Sequence, residues 1–391
     1  MREMGEAAAR WLEDRAGEMD EALGALVQVN SYTENPEGGR KLGGLLRECF
    51  AVPGLSAEVV LSARFADHLV FRSAGRAGTR PVALVGHLDT VYPPGRFEGY
   101  RKDGPLRRGP GVLDMKGGLV VMAWALRALA ASGGLQALAP LRLVVVSDEE
   151  VGSPEGQGVV REAIGGAGAC LVFEAGREGD AIITQRKGTG GVKVVAHGKA
   201  AHAGNAYAEG ANAIWALARF VDGAQQLTDV PRGLTVNVGR VVGGQGKNTL
   251  PDRAEADVDL RFCTREEGEE LVRRLQHLAT QASQGIPGTR LELVGGVARD
   301  PLERTEASAA LMAAYGRCAH ASGLGHAESP RVGGGSDAST AFGLGIPSID
   351  GLGPRGKGFH TVEEYIEVET LRSKAQALAR FLTSWESSPS F

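Results

Sequence analysis

Apolar and polar residues follow two different patterns along this chain. Between residues 81 and 175, short apolar runs at 81–85, 141–146 and 171–173 flank a nearly continuous apolar stretch at 117–131. The short runs are typical of buried strands and the long one of a packed helix. Strand, helix and strand in this order predict parallel pairing in an α/β sheet that is covered on both faces.

The pattern changes near residue 188. Residues 254–262 alternate between apolar and polar side chains, which predicts an antiparallel strand with one solvated face. Thr264 with two glutamates after it predicts the N-terminus of a helix. In this segment we also expect strands at 191–197 and 234–242 and helices at 208–223 and 264–281.

The α/β pattern returns after residue 298, with helical patterns at 306–322 and 368–386. A chain of 391 residues exceeds the size at which one hydrophobic core keeps growing, so two domains are the default expectation. We therefore predict a discontinuous α/β domain over residues 1–188 and 299–391, with an α+β unit of residues 189–298 inserted into it.

The composition is that of an ordinary globular protein, with 43% apolar and 23% charged residues. A net charge of -4 gives no electrostatic reason to bind nucleic acid. No stretch approaches the roughly 18 apolar residues of a membrane span. The N-terminal 23 residues have a charged amphipathic pattern instead of a signal peptide's apolar core, so we expect a cytoplasmic location. Four well-separated cysteines argue against a disulfide framework.

Potential metal ligands lie just past the predicted strands. In chain order they are His87, Asp89, Glu149, Glu150 and Glu174. Because catalytic groups of open α/β sheets gather at the carboxyl ends of strands, we expect these side chains to lie close together. Two adjacent carboxylates such as Glu149 and Glu150 repel each other, and a metal ion would supply the compensating charge.

Two further candidates lie in glycine-rich loops. Asp114 belongs to GVLDMKGG, where the glycines let the backbone approach a ligand closely. His360 belongs to GPRGKGFHT, with Glu363 and Glu364 close behind it. Each residue alone has an ordinary structural explanation, which for Asp114 is a helix N-cap. Their convergence on strand ends and adjoining loops predicts a metal site.

Eight motifs, in this order, resemble those of the M20 family of metallopeptidases and amidohydrolases: GHLDT, GVLDMKGG, SDEEVGS, FEAG, GKAAHAG, NTLPDRAEADVDLRF, GGGSDAS and GFHTVEEY. They cover residues 80–366. The closest resemblance is to the glutamate carboxypeptidase branch, similar to the folate-cleaving carboxypeptidase G enzymes. It implies a phosphorylase/hydrolase-like zinc-peptidase domain with a mostly parallel central sheet. It also implies that the inserted unit is a ferredoxin-like lid and dimerisation domain, and that the protein is a homodimer.

The resemblance assigns five metal ligands. Asp114 would bridge two ions, His87 and Glu174 would complete one site, and Glu150 and His360 would complete the other. Two histidines and three carboxylates suit two zinc ions, with cobalt or manganese as substitutes. The family pattern also implies a cis peptide bond after Asp114.

The resemblance assigns three residues to catalysis. Asp89 would hold His87 through its second ring nitrogen and so fix its tautomer. Glu149 would be the general base that takes a proton from the attacking water and passes it to the leaving amine. His202, in GKAAHAG, resembles a histidine that reaches across the dimer to stabilise the tetrahedral intermediate.

Four more residues would bind the substrate. Arg261 and Asn248 match residues that hold a terminal carboxylate, for which a guanidinium group is well suited. Gly334 and Gly335 resemble a loop that lines the same pocket.

The motifs therefore predict cleavage of an amide bond next to a free carboxylate, in a small peptide or an N-acyl amino acid. The predicted enzyme is a glutamate carboxypeptidase that releases a C-terminal glutamate-like residue. One departure, Arg186-Lys187-Gly188, is more like the deacylase branches. The open alternatives are an N-acyl-amino-acid deacylase with acetylornithine-like or succinyl-diaminopimelate-like substrates, and a non-catalytic ligand-binding relative that keeps the fold.

Overall fold

The computed structural model describes residues 1–385, and the last residue of the helix expected at 368–386 lies outside them. The described helices are α1 (Arg2–Glu13), α2 (Ala16–Val27), α3 (Pro36–Cys49), α4 (Gly117–Ser132), α5 (Gly156–Ile164), α6 (Ala213–Gln225), α7 (Arg265–Gln284), α8 (Glu306–Ala321), α9 (Ala338–Phe342) and α10 (Glu369–Ser384). Single helical turns lie at Val112–Lys116, Leu135–Ala137, Glu149–Val151, Glu178–Asp180 and Tyr207–Glu209.

The described strands are β1 (Ser56–Val60), β2 (His68–Arg72), β3 (Val82–His87), β4 (Arg101–Asp103), β5 (Leu106–Arg108), β6 (Leu141–Val146), β7 (Ala169–Val172), β8 (Gly188–His197), β9 (Ala201–His202), β10 (Thr235–Gly243), β11 (Thr249–Leu250), β12 (Arg253–Phe262), β13 (Arg290–Arg299), β14 (Ser348–Ile349), β15 (Gly356–Lys357) and β16 (Tyr365–Glu367).

The chain divides into two compact units. The first is formed by Met1–Gln185, Arg304–Arg331 and Ser336–Phe391, and the second by Arg186–Glu303 and Val332–Gly335. The inserted segment predicted at 189–298 falls within the second unit.

A six-stranded sheet, in the order β1-β2-β6-β3-β7-β14, forms the centre of the first unit. Strands β6, β3, β7 and β14 are parallel, and β2 and β1 add antiparallel strands at one edge. Every residue of β3 is buried, as the continuous apolar run predicts for a strand covered on both faces. The prediction of a mostly parallel central sheet is confirmed.

Helix α4 explains the long apolar stretch before β6. Twelve of its residues are buried, which fits a helix enclosed on nearly all sides. It packs against α1 and α10. The N-terminal pattern forms two helices, with a break at Asp14 and Arg15 between α1 and α2. No helix within residues 1–385 is long and apolar enough to cross a membrane.

The second unit follows a β-α-β-β-α-β order, with an antiparallel sheet ordered β10-β12-β8-β13. This is the ferredoxin-like arrangement. Strand β12 alternates between buried and partly exposed residues, as predicted for one solvated face. Thr264 caps α7 in a capping box with Glu267. Helix α6 begins at Ala213, five residues later than predicted, because the Asn212 side chain accepts a hydrogen bond from the Trp215 N–H and sets the N-terminus there.

Candidate metal centre

His87 is the last residue of β3 and is 1% exposed. Its Nδ1 lies 3.0 Å from the backbone carbonyl of Asp89 and 3.3 Å from Asp89 Oδ1. A proton on Nδ1 that is donated to these oxygens leaves Nε2 as the ligand atom. Nε2 lies 3.2 Å from Asp114 Oδ1 and 3.7 Å from Glu174 Oε1.

The Asp89 carboxylate connects the ends of two parallel strands. Oδ1 accepts a hydrogen bond from the Glu149 N–H at 3.2 Å, and Oδ2 accepts one from the Glu150 N–H at 3.1 Å. Oδ2 also accepts a hydrogen bond from the Thr33 hydroxyl at 2.8 Å. Asp89 therefore fixes the backbone that carries both glutamates as well as the imidazole before it.

Asp114 lies in the irregular turn Val112–Lys116, and the peptide bond after it is cis, as the family pattern implies. Its two oxygens face different histidines: Oδ1 lies 3.2 Å from His87 Nε2, and Oδ2 lies 3.3 Å from His360 Nε2. The glycines after it permit close packing, since a Cβ at Gly118 would lie 2.1 Å from the carbonyl oxygen of Phe173. The carboxylate is thus placed as a bridge between two imidazoles.

The adjacent glutamates belong to different clusters of potential ligand atoms. Glu150 groups with His87 and Asp114, whereas Glu149 groups with His87 and Glu174, and the ligand atoms of each group lie within 4.8 Å of one another. Glu150 Oε2 also lies 3.0 Å from His360 Nε2. The two carboxylates therefore share His87 as a neighbour but differ in the carboxylate beside them.

Burial and neighbouring charges shift the pKa values of the glutamates and histidines in this cluster. Burial raises the pKa of Glu150 to about 8, with Asp114 adding to the shift and His360 opposing it. Burial and the Asp114 charge hold the pKa of Glu174 well above its usual range. Hydrogen bonds to Asp114 and Glu150 raise the pKa of His360 to about 10. For His87, burial lowers the pKa, but Glu174, Asp114 and Asp89 together raise it well above the ordinary value.

The clustered histidine and carboxylate side chains fit divalent cations by their donor chemistry. Three carboxylates, those of Asp114, Glu150 and Glu174, form ion pairs with the imidazoles of His87 and His360. Within residues 1–385, none of the three forms an ion pair with a lysine or an arginine. Buried carboxylates without a permanent cation either keep protons or bind a metal. The imidazole and carboxylate donors suit zinc, cobalt or manganese.

The residues assigned to substrate binding lie in the second unit. Arg261 forms a two-point ion pair with Asp259, from Nε to Oδ2 at 2.9 Å and from Nη2 to Oδ1 at 3.0 Å. The backbone carbonyl of Asn248 accepts a hydrogen bond from Ala203 N–H at 2.9 Å, so Asn248 is a neighbour of the segment that carries His202.

His202 has a defined tautomer. Its Nδ1 accepts hydrogen bonds from the N–H groups of Gly204 and Asn205, each at 3.1 Å, which places the ring proton on Nε2. The carbonyl of Gly334 accepts a hydrogen bond from Arg186 Nη1 at 3.1 Å, and the same Nη1 lies 3.5 Å from the carbonyl of Gly335. Arg186 thus holds the glycine loop in place.

Residues 83–384 match the model of peptidase family M20/M25/M40, which is more than half of the chain. The chain belongs to peptidase family M20/M25/M40. It is an enzyme of this peptidase and amidohydrolase class, near the carboxypeptidase G branch.

Individual M20 relatives extend the comparison. The chain is 29% identical to carboxypeptidase G2 of Pseudomonas sp. (strain RS-16) over 371 residues, covering 92% of this chain and 87% of the relative. It is 30% identical to acetylornithine deacetylase of Myxococcus xanthus over 330 residues, which cover 78% of this chain and 80% of the relative. The crystal structure of aminopeptidase PepT from Bacillus cereus superimposes with a TM-score of 0.79 over 94% of this chain and 98% of that one. At 22% identity, that likeness shows the fold alone.

Two residues around this M20 centre, Thr33 and Tyr92, were not singled out by the sequence, and Glu364 was named only as a neighbour of His360. Thr33 holds Asp89, and Tyr92 and Glu364 contact the loops that carry Asp114 and His360. Glu364 stands in GFHTVEEY next to a second glutamate, so its place in the motif was visible but its role was not. Thr33 is 56 residues from Asp89 and has no motif around it.

We predict that metal binding to this M20 enzyme releases protons. With pKa values raised to about 10 and about 8, His360 and Glu150 hold protons at pH 7 in the metal-free protein, and ligands must lose them to bind. Calorimetric metal titrations in buffers of different ionisation enthalpy should show proton release at pH 7 that falls as the pH approaches 10. The variant His360→Gln should release fewer protons, and metal uptake without proton release at pH 7 would contradict the expectation.

Proposed function

We propose that this M20 hydrolase is a dinuclear metalloenzyme that releases a C-terminal glutamate-like residue by cleaving the amide bond next to its free carboxylate. The observation that carries the proposal is Asp114, whose two oxygens each face a different histidine. A bridging carboxylate of this kind is suited to two ions.

The donor set suggests how two ions would be held. His87 and Glu174 would bind one, Glu150 and His360 the other, and Asp114 both. Zinc is the ion we propose, with cobalt or manganese as substitutes. When bound, the ions would supply Lewis-acid polarisation of the scissile carbonyl and a lower pKa for water in the site.

The chain's own residues would perform the proton transfers. We assign Glu149 as the general base, which takes a proton from the attacking water and passes it to the leaving nitrogen. Asp89 orients His87 and the backbone of Glu149 through the contacts given above. The Nε2–H of His202 is available in the tautomer described to donate a hydrogen bond to the oxyanion.

Substitution of the glutamate pair tests this division of roles. Glu149→Gln should reduce kcat by about 10²-fold or more, because the base is lost, while the metal content stays near that of the wild type. Glu150→Gln should instead lose metal from one of two sites. The two residues are adjacent, so each variant is the other's control. Equal metal loss in both, measured by elemental analysis of purified protein, would show that the assignment is wrong.

The proposed substrate class rests on carboxypeptidase G2, a relative whose alignment covers 92% of this chain. A second candidate is an N-acyl-amino-acid deacylase, which the acetylornithine deacetylase relative and the Arg186-Lys187-Gly188 segment favour. Release of glutamate from benzoyl- or pteroyl-glutamate, measured against release of acetate or succinate from acylated amino acids, separates the two.

We propose that Arg261 and Asn248 bind the free carboxylate of the substrate, beside the loop that contains Gly334 and Gly335. The Arg261 ion pair with Asp259 alone would contribute little, about 0 to 1 kcal/mol, because both side chains are partly exposed. A guanidinium that binds a substrate carboxylate contributes more, since truncation removes a charged hydrogen bond.

Arg261→Ala should therefore lower kcat/KM on benzoyl-glutamate by about a hundredfold, or about 2.7 kcal/mol. A substrate with that carboxylate amidated should barely distinguish the variant from the wild type. Arg240→Ala is a matched control, because Arg240 pairs with Asp257 on the same sheet at 3.1 Å. An equal loss on acid and amide would mean that Arg261 supports structure only.

We also propose that the second unit mediates a homodimer. Strand β10 is an edge strand, and Ile214, Trp215, Val241 and Val242 expose apolar side chains on it and on α6. Exposed apolar patches of this kind are typical of association surfaces.

The mass in solution should be near twice 40.9 kDa. Val241→Glu should shift it towards the monomer, since a buried unpaired charge opposes association. Val294→Glu, on the opposite edge strand and 67% exposed, should leave the dimer intact. Analytical ultracentrifugation of both variants checks this, and a monomeric, fully active wild type would rule out a role for His202 across an interface.

A further inference from the structure

Glu364 lies outside the proposed ligand set, yet it is fully buried beside it, with 0% exposure. Its neighbour Glu363 has a side chain that is 81% exposed. A buried carboxylate in a site already rich in carboxylates adds repulsion unless its own oxygens are satisfied by donors.

The Glu364 oxygens are satisfied by the loop that carries Asp114. Oε1 accepts hydrogen bonds from the N–H groups of Leu113 at 2.8 Å and Asp114 at 3.1 Å, and Oε2 accepts one from Gly111 at 3.1 Å. The carboxylate therefore fixes the backbone that leads into the bridging residue, from Gly111 to Asp114.

Tyr92 adds the fourth contact. Its hydroxyl lies 2.9 Å from Glu364 Oε2 and 2.8 Å from the carbonyl oxygen of Thr361, so one proton is shared by two acceptors. A carboxylate has about four acceptor positions, and three N–H groups and one hydroxyl fill them. No position is left for a metal ion, so Glu364 is not a ligand.

Glu364 also belongs to the segment that carries His360. The Thr361 N–H donates to the Gly358 carbonyl at 3.0 Å, and the Glu364 N–H donates to the Thr361 carbonyl at 3.3 Å. His360 stands inside this turn with a φ of 62°. Two ligand-bearing segments, 111–114 and 358–364, are thus joined at one carboxylate.

We propose that Glu364, with Tyr92, is a positioning residue that sets Asp114 and His360 at the spacing needed to bind metal. This inference rests on the proposed dinuclear centre. It assigns to Glu364 an effect on metal affinity that goes beyond stabilising the fold, because its hydrogen bonds hold the two loops that supply ligands.

Glu364→Gln is the sharpest test. The amide oxygen of the glutamine can still accept hydrogen bonds from Leu113 and Asp114, but its NH2 group faces the Gly111 N–H, which is also a donor. The variant therefore loses the hydrogen bond to Gly111 and keeps the volume of the side chain. Competition with a chromophoric chelator should show zinc affinity lowered about 10- to 100-fold for at least one ion. The melting temperature of the metal-free protein should stay close to that of the wild type. Glu363→Gln is the matched control and should match the wild type in both measurements.

Tyr92→Phe tests the other half of the contact. It removes the hydroxyl that joins Glu364 to the Thr361 carbonyl and leaves the hydrogen bonds from the Leu113 and Asp114 N–H groups to Glu364 intact. The affinity of one zinc ion should fall and that of the other should stay near the wild-type value. If Glu364→Gln does not fold, this variant decides the question.

The outcomes separate the two claims. Fewer than two zinc equivalents bound by the wild type would overturn the dinuclear centre itself. Two equivalents in the wild type, with wild-type affinity in Glu364→Gln or in Tyr92→Phe, would overturn the positioning role alone. A lower melting temperature of the metal-free variant with unchanged zinc affinity would also overturn it and leave Glu364 a structural residue.

Discussion

The repulsion among largely buried carboxylates is the constraint on which the rest of this structure depends. Asp114, Glu150 and Glu174 lie in the first unit with two imidazoles as their ion-pair partners within residues 1–385. Their raised or lowered pKa values are the direct result, since burial and like charge oppose ionisation at two of them. A fold that assembles such a cluster must hold it together by other bonds. It does so with backbone N–H groups and buried side chains.

Those bonds come from carboxylates that are not themselves proposed ligands. Asp89 accepts hydrogen bonds from the N–H groups of Glu149 and Glu150. Glu364 accepts three from the backbone N–H groups of residues 111, 113 and 114. These hydrogen bonds satisfy backbone donors that would otherwise be buried without a partner. Asp89 connects two strand ends of the parallel sheet, and Glu364 fixes the loop that carries Asp114.

The charged residues of the second unit lie in a different environment. Its ferredoxin-like sheet has one buried face and one solvated face, and the charged residues on the solvated face pair locally, as Arg261 does with Asp259. Such pairs are easily exchanged for another carboxylate because little free energy is lost when they separate. The metal-centre carboxylates of the first unit are, in contrast, largely buried.

Sequence alone determined the ligand candidates, the mostly parallel sheet and the helix cap at Thr264, because each depends on residues close together in the chain. Strand ends, glycine-rich loops and short motifs are local patterns. Sequence did not distinguish Glu364 from Glu363, and it gave no sign of Thr33. Their roles depend on contacts between segments far apart, such as the bond from Leu113 to Glu364 across 251 residues. Only folding decides which of two adjacent carboxylates meets a distant loop, because burial and hydrogen-bond geometry are properties of the packed chain.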